Sequence, residues 1–211
     1  MDAVLISHEH NDHVRGAAAV ARRYGPRFYA NSSTCIAAGL TGRLHTAAAL
    51  EEFETGVPFR AGDLEITAFP LPHDAAGTVG FTVSDGRVKV GFATDLGSVT
   101  MEVIGGLSEC DAVIIESNHD EAMLLAGPYP AMLKRRVHGP EGHLSNEDAA
   151  ELISCVRHSR LKHLVLAHMS RTNNTPALGL ESAKAALGRR CSDVAVSLGR
   201  QDRPCKVIRI G

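Results

Sequence analysis

Short apolar runs closed by Gly, Pro, Asp or Ser alternate along this chain with Ala-rich stretches of helical spacing, and the two rhythms predict its elements. A buried strand over residues 2–6 leads to an Ala-rich helix over 14–24, closed by Gly25-Pro26. A strand over 27–30 follows, then a helix to about residue 40 capped by Asn31, Ser32 or Ser33. Residues 41–58 are ambiguous, with helical character in HTAAALEEF. From residue 59 the texture changes: DLEITAFPLPH, TVGFTVSDG and RVKVGFATD predict strands, and Ser84-Asp85-Gly86-Arg87 a hairpin turn. CDAVIIES and LKHLVLAH read as buried strands, ALGLESAKAALG as a helix, and VAVSL and KVIRI as closing strands. In LSNEDAAELISCVRH, Ser145 is an N-cap with Asp148 three residues on, a near-capping box. No repeat, low-complexity tract or linker interrupts the pattern. The expectation is one α/β layered domain over 1–211.

Composition narrows the function. At 211 residues and 44% apolar, the chain can bury one large core, or two small lobes sharing a core. A net charge of −2 gives no overall basic signature, so any nucleic-acid contact must come from a local patch or a bound metal. The absence of Trp, with 4% aromatics, argues against a base-stacking platform. Cys35, Cys110, Cys155, Cys191 and Cys205 are scattered without a CxxC pair, which suits a reducing cytoplasm. No stretch approaches the roughly 20 apolar residues of a membrane span.

The densest chemistry is VLISHEHNDHVRG, residues 4–16. HExxH is excluded, since the place four residues after His8 holds Asp12. In an extended segment, residues two apart point the same way, so His8 and His10 can grip one metal while Asp12 and His13 turn to a second. Four ligands in one loop cannot complete two sites. Distant partners are therefore expected, and His73, Asp95 and His168 each close an apolar strand.

In this order, HxHxDH followed by His73, Asp95 and His168 resembles the ligand motifs of the metallo-β-lactamase superfamily. The resemblance implies an αββα sandwich with a dinuclear centre at its edge. His8, His10 and His73 would hold one ion, Asp12, His13 and His168 the other, with Asp95 bridging. The ions would be zinc, manganese or iron, all of which accept this donor set. Asp at position 95, where class B β-lactamases commonly carry Cys, favours phosphodiesterases and other hydrolases. Whole members of the superfamily have further strands before this loop, so the chain is expected to be incomplete at its N-terminus by about 40 to 60 residues.

Two metal ions lower the pKa of a bridging water toward about 7 and supply a hydroxide. Asp12 could orient it, and a formal charge near about +1 at the centre would attract a phosphoryl group. Leaving-group assistance is expected from His143, paired with Glu116. Glu116, Gly142-His143 and LVLAHMS resemble the tRNase Z-like part of the superfamily. ESNHDEAMLLAGPYPAMLKRRVHGPEGHLSNEDAA followed by LAHMSRTNNTP resembles the YycJ/WalJ branch, which implies 5′-to-3′ DNA exonuclease activity. Expected substrate contacts are His119, Asp120, Ser170, Asn173 and Asn174, with Lys134-Arg135-Arg136 and Arg171 as local basic residues. His45, His138, His158 and His163 carry no motif. The alternatives are a glyoxalase II-like thioester or lactone hydrolase on the same centre, and a metal-binding fragment without turnover.

Overall fold

The structure, a computed structural model, describes residues 1–44 and 50–210. A small parallel sheet holds β1 (Ala3–Leu5), β2 (Arg27–Asn31) and β3 (Leu50–Phe53), in that order. A seven-stranded sheet holds β4 (Phe59–Ala61), β5 (Leu64–Pro70), β6 (Val79–Ser84), β7 (Lys89–Ala93), β8 (Ala112–Glu116), β9 (His163–Ala167) and β10 (Ala195–Leu198), in spatial order β10-β9-β8-β7-β6-β5-β4. β4 to β7 pair antiparallel, and β7 to β10 parallel. Hence β5, β7, β8, β9 and β10 all run the same way, and their C-terminal ends share one edge.

Strand alternation sorts the side chains into four layers. Tyr29, Phe53, Ile66, Ala68, Val79 and Phe81 pack between the sheets. Phe28 and Ala30 turn outward onto α1 (Asn11–Val14), α2 (Ala17–Tyr24), α3 (Ser32–Ala38) and α4 (Leu40–Leu44). On the far side, Phe69, Val113, Ile115 and Leu164 meet α5 (Met101–Leu107), α8 (Asn146–Val156) and α9 (Pro176–Leu187). Two further helices, α6 (Glu121–Ala126) and α7 (Ala131–His138), follow β8 in the chain. The αββα expectation holds, as does the capping box: Ser145 accepts from Asp148 N while Asp148 accepts from Ser145 N.

Three expectations are corrected. The helix expected over 14–24 starts at Asn11 and breaks at Arg15-Gly16. The helical reading of HTAAALEEF fails over Leu50–Phe53, where pairing of Phe53 with Asn31 buries Phe53 between the sheets; residues 45–49, with His45, lie outside the described residues. KVIRI forms no strand. Residues 203–208 and 210 instead lie across Val90, Ile114 and Val165, on the face of the large sheet. Among the described residues, no helix is long and apolar enough to cross a membrane.

Candidate metal centre

His73 follows β5, Asp95 follows β7, Glu116 ends β8 and His168 follows β9, so parallel strand direction alone brings four distant residues to one edge. The loop after β1 is tied to it by Val79 N, which donates to Ser7 O at 3.1 Å. Asp95 and His168 have φ of 66° and 53°, sharp left-handed turns that tip each side chain off its strand end.

Three groups of potential ligand atoms lie within 4.8 Å of one another: His8, His10 and His73; His8, His13 and Asp95; and Asp95, Glu116, His143 and His168. His73 Nε2 is 3.3 Å from His10 Nδ1. Asp95 stands between His13 Nε2, at 3.4 Å from one oxygen, and His168 Nδ1, at 3.3 Å from the other. The residues fit a cation: His8 Nε2 and Asp95 Oδ2 are buried with no hydrogen-bond partner, a cost that a metal at their convergence removes. Asp12 departs from this picture. Set in the first turn of α1, its side chain is 63% exposed and joins none of the three groups, although its carboxylate lies 3.6 Å from His13 Nε2.

Orienting contacts surround these candidate ligands, of the kind metal-binding imidazoles use. The Ser7 hydroxyl lies 3.1 Å from His8 Nδ1 and 3.3 Å from His13 Nδ1. His73 Nδ1 donates to Gly142 O at 3.0 Å, joining this candidate ligand to the loop that carries His143. Asp74, next in sequence, is held by Arg136. Burial, reinforced by His13, His73 and His10, pushes the His8 pKa down to about 3, so this imidazole is neutral and its lone pair available.

Glu116 does more than the sequence suggests. It is fully buried, and one oxygen accepts from both His143 Nδ1 at 2.8 Å and His168 Nδ1 at 2.7 Å. Its other oxygen accepts from Leu96 N at 3.1 Å. Burial alone would raise this carboxyl, but the hydrogen bonds from His143 and His168 outweigh it and hold its pKa at about 2. The same balance works in reverse on the imidazoles. Burial lowers them, the Glu116 contact more than offsets that, and His143 ends above its ordinary value while His168 rises to about 9 in the metal-free protein. The tie to His168 spans 52 residues and has no local sequence signal.

The loop of His143 approaches that of Asp95 backbone to backbone. A Cβ at Gly97 would come within 2.2 Å of Gly142 N and 2.5 Å of Gly139 O. Gly97→Ala is therefore expected to push residues 139–143 away from the metal edge and lower turnover about 100-fold, with metal content kept. Activity measured beside metal stoichiometry checks this, and wild-type turnover would refute it.

The expected substrate contacts are placed differently. His119 and Asn173 are each 1% exposed, which leaves little surface for a substrate, whereas Ser170 and Asn174 line a cavity together with Met169 and Arg171. The Asn174 amide nitrogen donates at 3.1 Å to the carbonyls of Ser117 and Asn118, and Asn118 Nδ2 donates to His168 O at 2.8 Å, so these residues brace the ligand turn. Asp120 caps α6 by accepting from Met123 N, and Ser170 accepts from Thr172 N and Asn173 N. Within the basic run, Lys134 donates to Leu125 O and Arg136 is paired with Asp74. His138 pairs with Glu121 at the surface, and His158 donates to Cys110 O.

Fold and edge geometry agree with the comparisons: residues 1–169 match the family described as Beta-lactamase superfamily domain. The chain belongs to the metallo-β-lactamase superfamily. It is 36% identical over 188 residues to "Exodeoxyribonuclease YycJ" of Bacillus anthracis, covering 89% of this chain and 71% of that one. It is also 36% identical over 180 residues to "Exodeoxyribonuclease WalJ" of Streptococcus pneumoniae, covering 84% and 67%. Its fold superposes with TM-score 0.71 on the metallo-β-lactamase fold protein YhfI of Bacillus subtilis, at 19% identity, covering 95% of this chain and 75% of that one.

Proposed function

We propose that the chain is a metal-dependent phosphodiesterase acting on DNA as a 5′-to-3′ exonuclease. In this reading His8, His10 and His73 hold one divalent ion, Asp12, His13 and His168 a second, and Asp95 lies between them. The observation that carries it is the forked contact of Glu116, which fixes His143, outside the ligand set of this reading, beside His168. Membership of the superfamily and the exodeoxyribonuclease names of the two bacterial relatives support the substrate class. We also place the protein in the cytoplasm, supported by its five free cysteines.

When bound, the ions supply an activated water and polarise the phosphoryl oxygen. The chain's own residues do the rest. With its Nδ1 proton held by Glu116, His143 presents Nε2 to the leaving oxygen and delivers a proton there. Asp12, at the exposed lip, takes the hydrogen bond of the incoming water. Ser7 and Gly142 O keep the ligand rings from turning.

His143→Ala is expected to slow digestion of a 5′-phosphorylated, end-labelled DNA duplex about 10²- to 10⁴-fold with metal content unchanged. A manganese or zinc assay with a thioester substrate alongside tests this. Turnover of the thioester with DNA untouched would transfer the site to a thioester or lactone hydrolase.

A further inference from the structure

One strand beyond His168 the same edge opens into a cavity of about 420 Å³. It exists because β9 and β10 run parallel, with Leu166 beside Leu198, so both release their chains at the same edge. Residues 169–171 and 199–202 then face each other, and Met169 is the immediate neighbour of the proposed ligand His168. The floor is apolar, made by Met169, Pro176 and Leu198. The rim carries two arginines and one carboxylate, Asp202, and is net cationic. Arg171 is exposed and makes no ion pair among the described residues, and Arg200 has only a loose contact, Nε to Asp202 Oδ1 at 3.5 Å. The twelve-residue α9 starts at the same wall with Pro176, adding the partial positive charge of its first turn. Gln201 closes the side by donating to Met169 O at 3.4 Å.

An apolar floor under a guanidinium rim fits neither a bare anion nor a wholly apolar guest. It suits a group with a flat hydrophobic body and a phosphate, and its size is that of a small-molecule site. We propose that this cavity holds one nucleotide unit of the DNA strand next to the bond being cut, with sugar and base on Met169 and Leu198 and the phosphate between Arg171 and Arg200. The proposal rests on the nuclease reading and adds to it a subsite that grips the strand by a neighbouring nucleotide.

Arg171→Ala and Arg200→Ala, singly and together, test it against a 5′-phosphorylated single-stranded 12-mer and against bis(p-nitrophenyl) phosphate, which has no neighbouring nucleotide. Each substitution should raise KM for the 12-mer about tenfold. Each should also flatten the dependence of log KM on log salt by about 0.7. kcat and cleavage of the small diester should stay as in the wild type, and Arg171→Lys should recover part of the loss. An unchanged KM and salt slope would overturn the subsite. So would parallel slowing of the small diester, because the arginines would then act through His168. If the metal-loaded wild type cuts neither substrate, the nuclease reading itself fails. Fluorescence polarisation of the labelled 12-mer then judges the cavity separately: weaker binding by the arginine variants upholds it, and equal binding removes it.

Discussion

Replacing Glu116 with glutamine is expected to lower phosphodiester turnover about a thousandfold while leaving the four-layer fold assembled. Glutamine keeps the shape but not the acceptors. The native carboxylate accepts from His143 and His168 on one oxygen and from Leu96 N on the other. An amide offers a single oxygen, so either the two imidazoles or Leu96 N must face an NH₂ group in a fully buried place. One or two buried donors lose their partner, at about 1–3 kcal/mol each. Acid titration gives a second readout. The Glu116 pKa falls from 4.5 to about 2 on folding, so its contribution to metal-free stability is complete above 4.5 and disappears as pH falls toward about 2. Thermal unfolding of the metal-free variant should lose that acid limb. A variant with wild-type turnover and the same acid limb would show that His143 and His168 need no common anchor.

Asp95→Ala should have the other large effect, because it removes the group that stands between the two histidine clusters. His13 and His168 would each lose a carboxylate oxygen at 3.4 and 3.3 Å. Outer contacts of metal ligands are worth about 10- to 100-fold in metal affinity, and a ligand itself should cost more. Wild-type protein at a metal concentration about 100-fold above Kd gains on the order of 3 kcal/mol, or about 6–12 °C in Tm for a chain of this size. Chelation should reverse that gain and abolish turnover, whereas the variant should show a much smaller metal-induced shift. Calorimetry with and without manganese distinguishes the cases, and an equal metal-induced shift in both proteins would take Asp95 out of the centre.

These expectations show which parts of the molecule local sequence carries. His8 and His10 are two apart on an extended segment, and periodicity alone places them on one side. His73, Asp95 and His168 are marked by their positions after apolar runs, because strand direction then decides where they emerge. Ser145 and Asp148 announce a helix start within four residues. What escapes is non-local. Leu50–Phe53 reads as helix by composition, yet becomes a strand because β2 is there to pair with it. KVIRI alternates like a strand but has no partner edge and lies over Val90 and Val165. The inward ties of Asn174, whose amide donates to the carbonyls of Ser117 and Asn118 more than 50 residues away, carry no local signal. Asp12 sits in a motif that reads as ligating, and the first turn of α1 sets it at the exposed lip of the site, 3.6 Å from His13 Nε2.

Three non-glycine residues among those described have positive φ: Asp95, Glu109 and His168. Two of the three belong to the metal edge. Glycine would sit in either conformation without strain, whereas each native residue costs about 1 kcal/mol or more there. Glycine at positions 95 and 168 would relieve that strain, but it would take a donor from the buried carboxylate of Glu116 and a carboxylate from between His13 and His168. These two turns mark where durability and catalysis make opposite demands on the same backbone, and a stabilised descendant should be engineered around them.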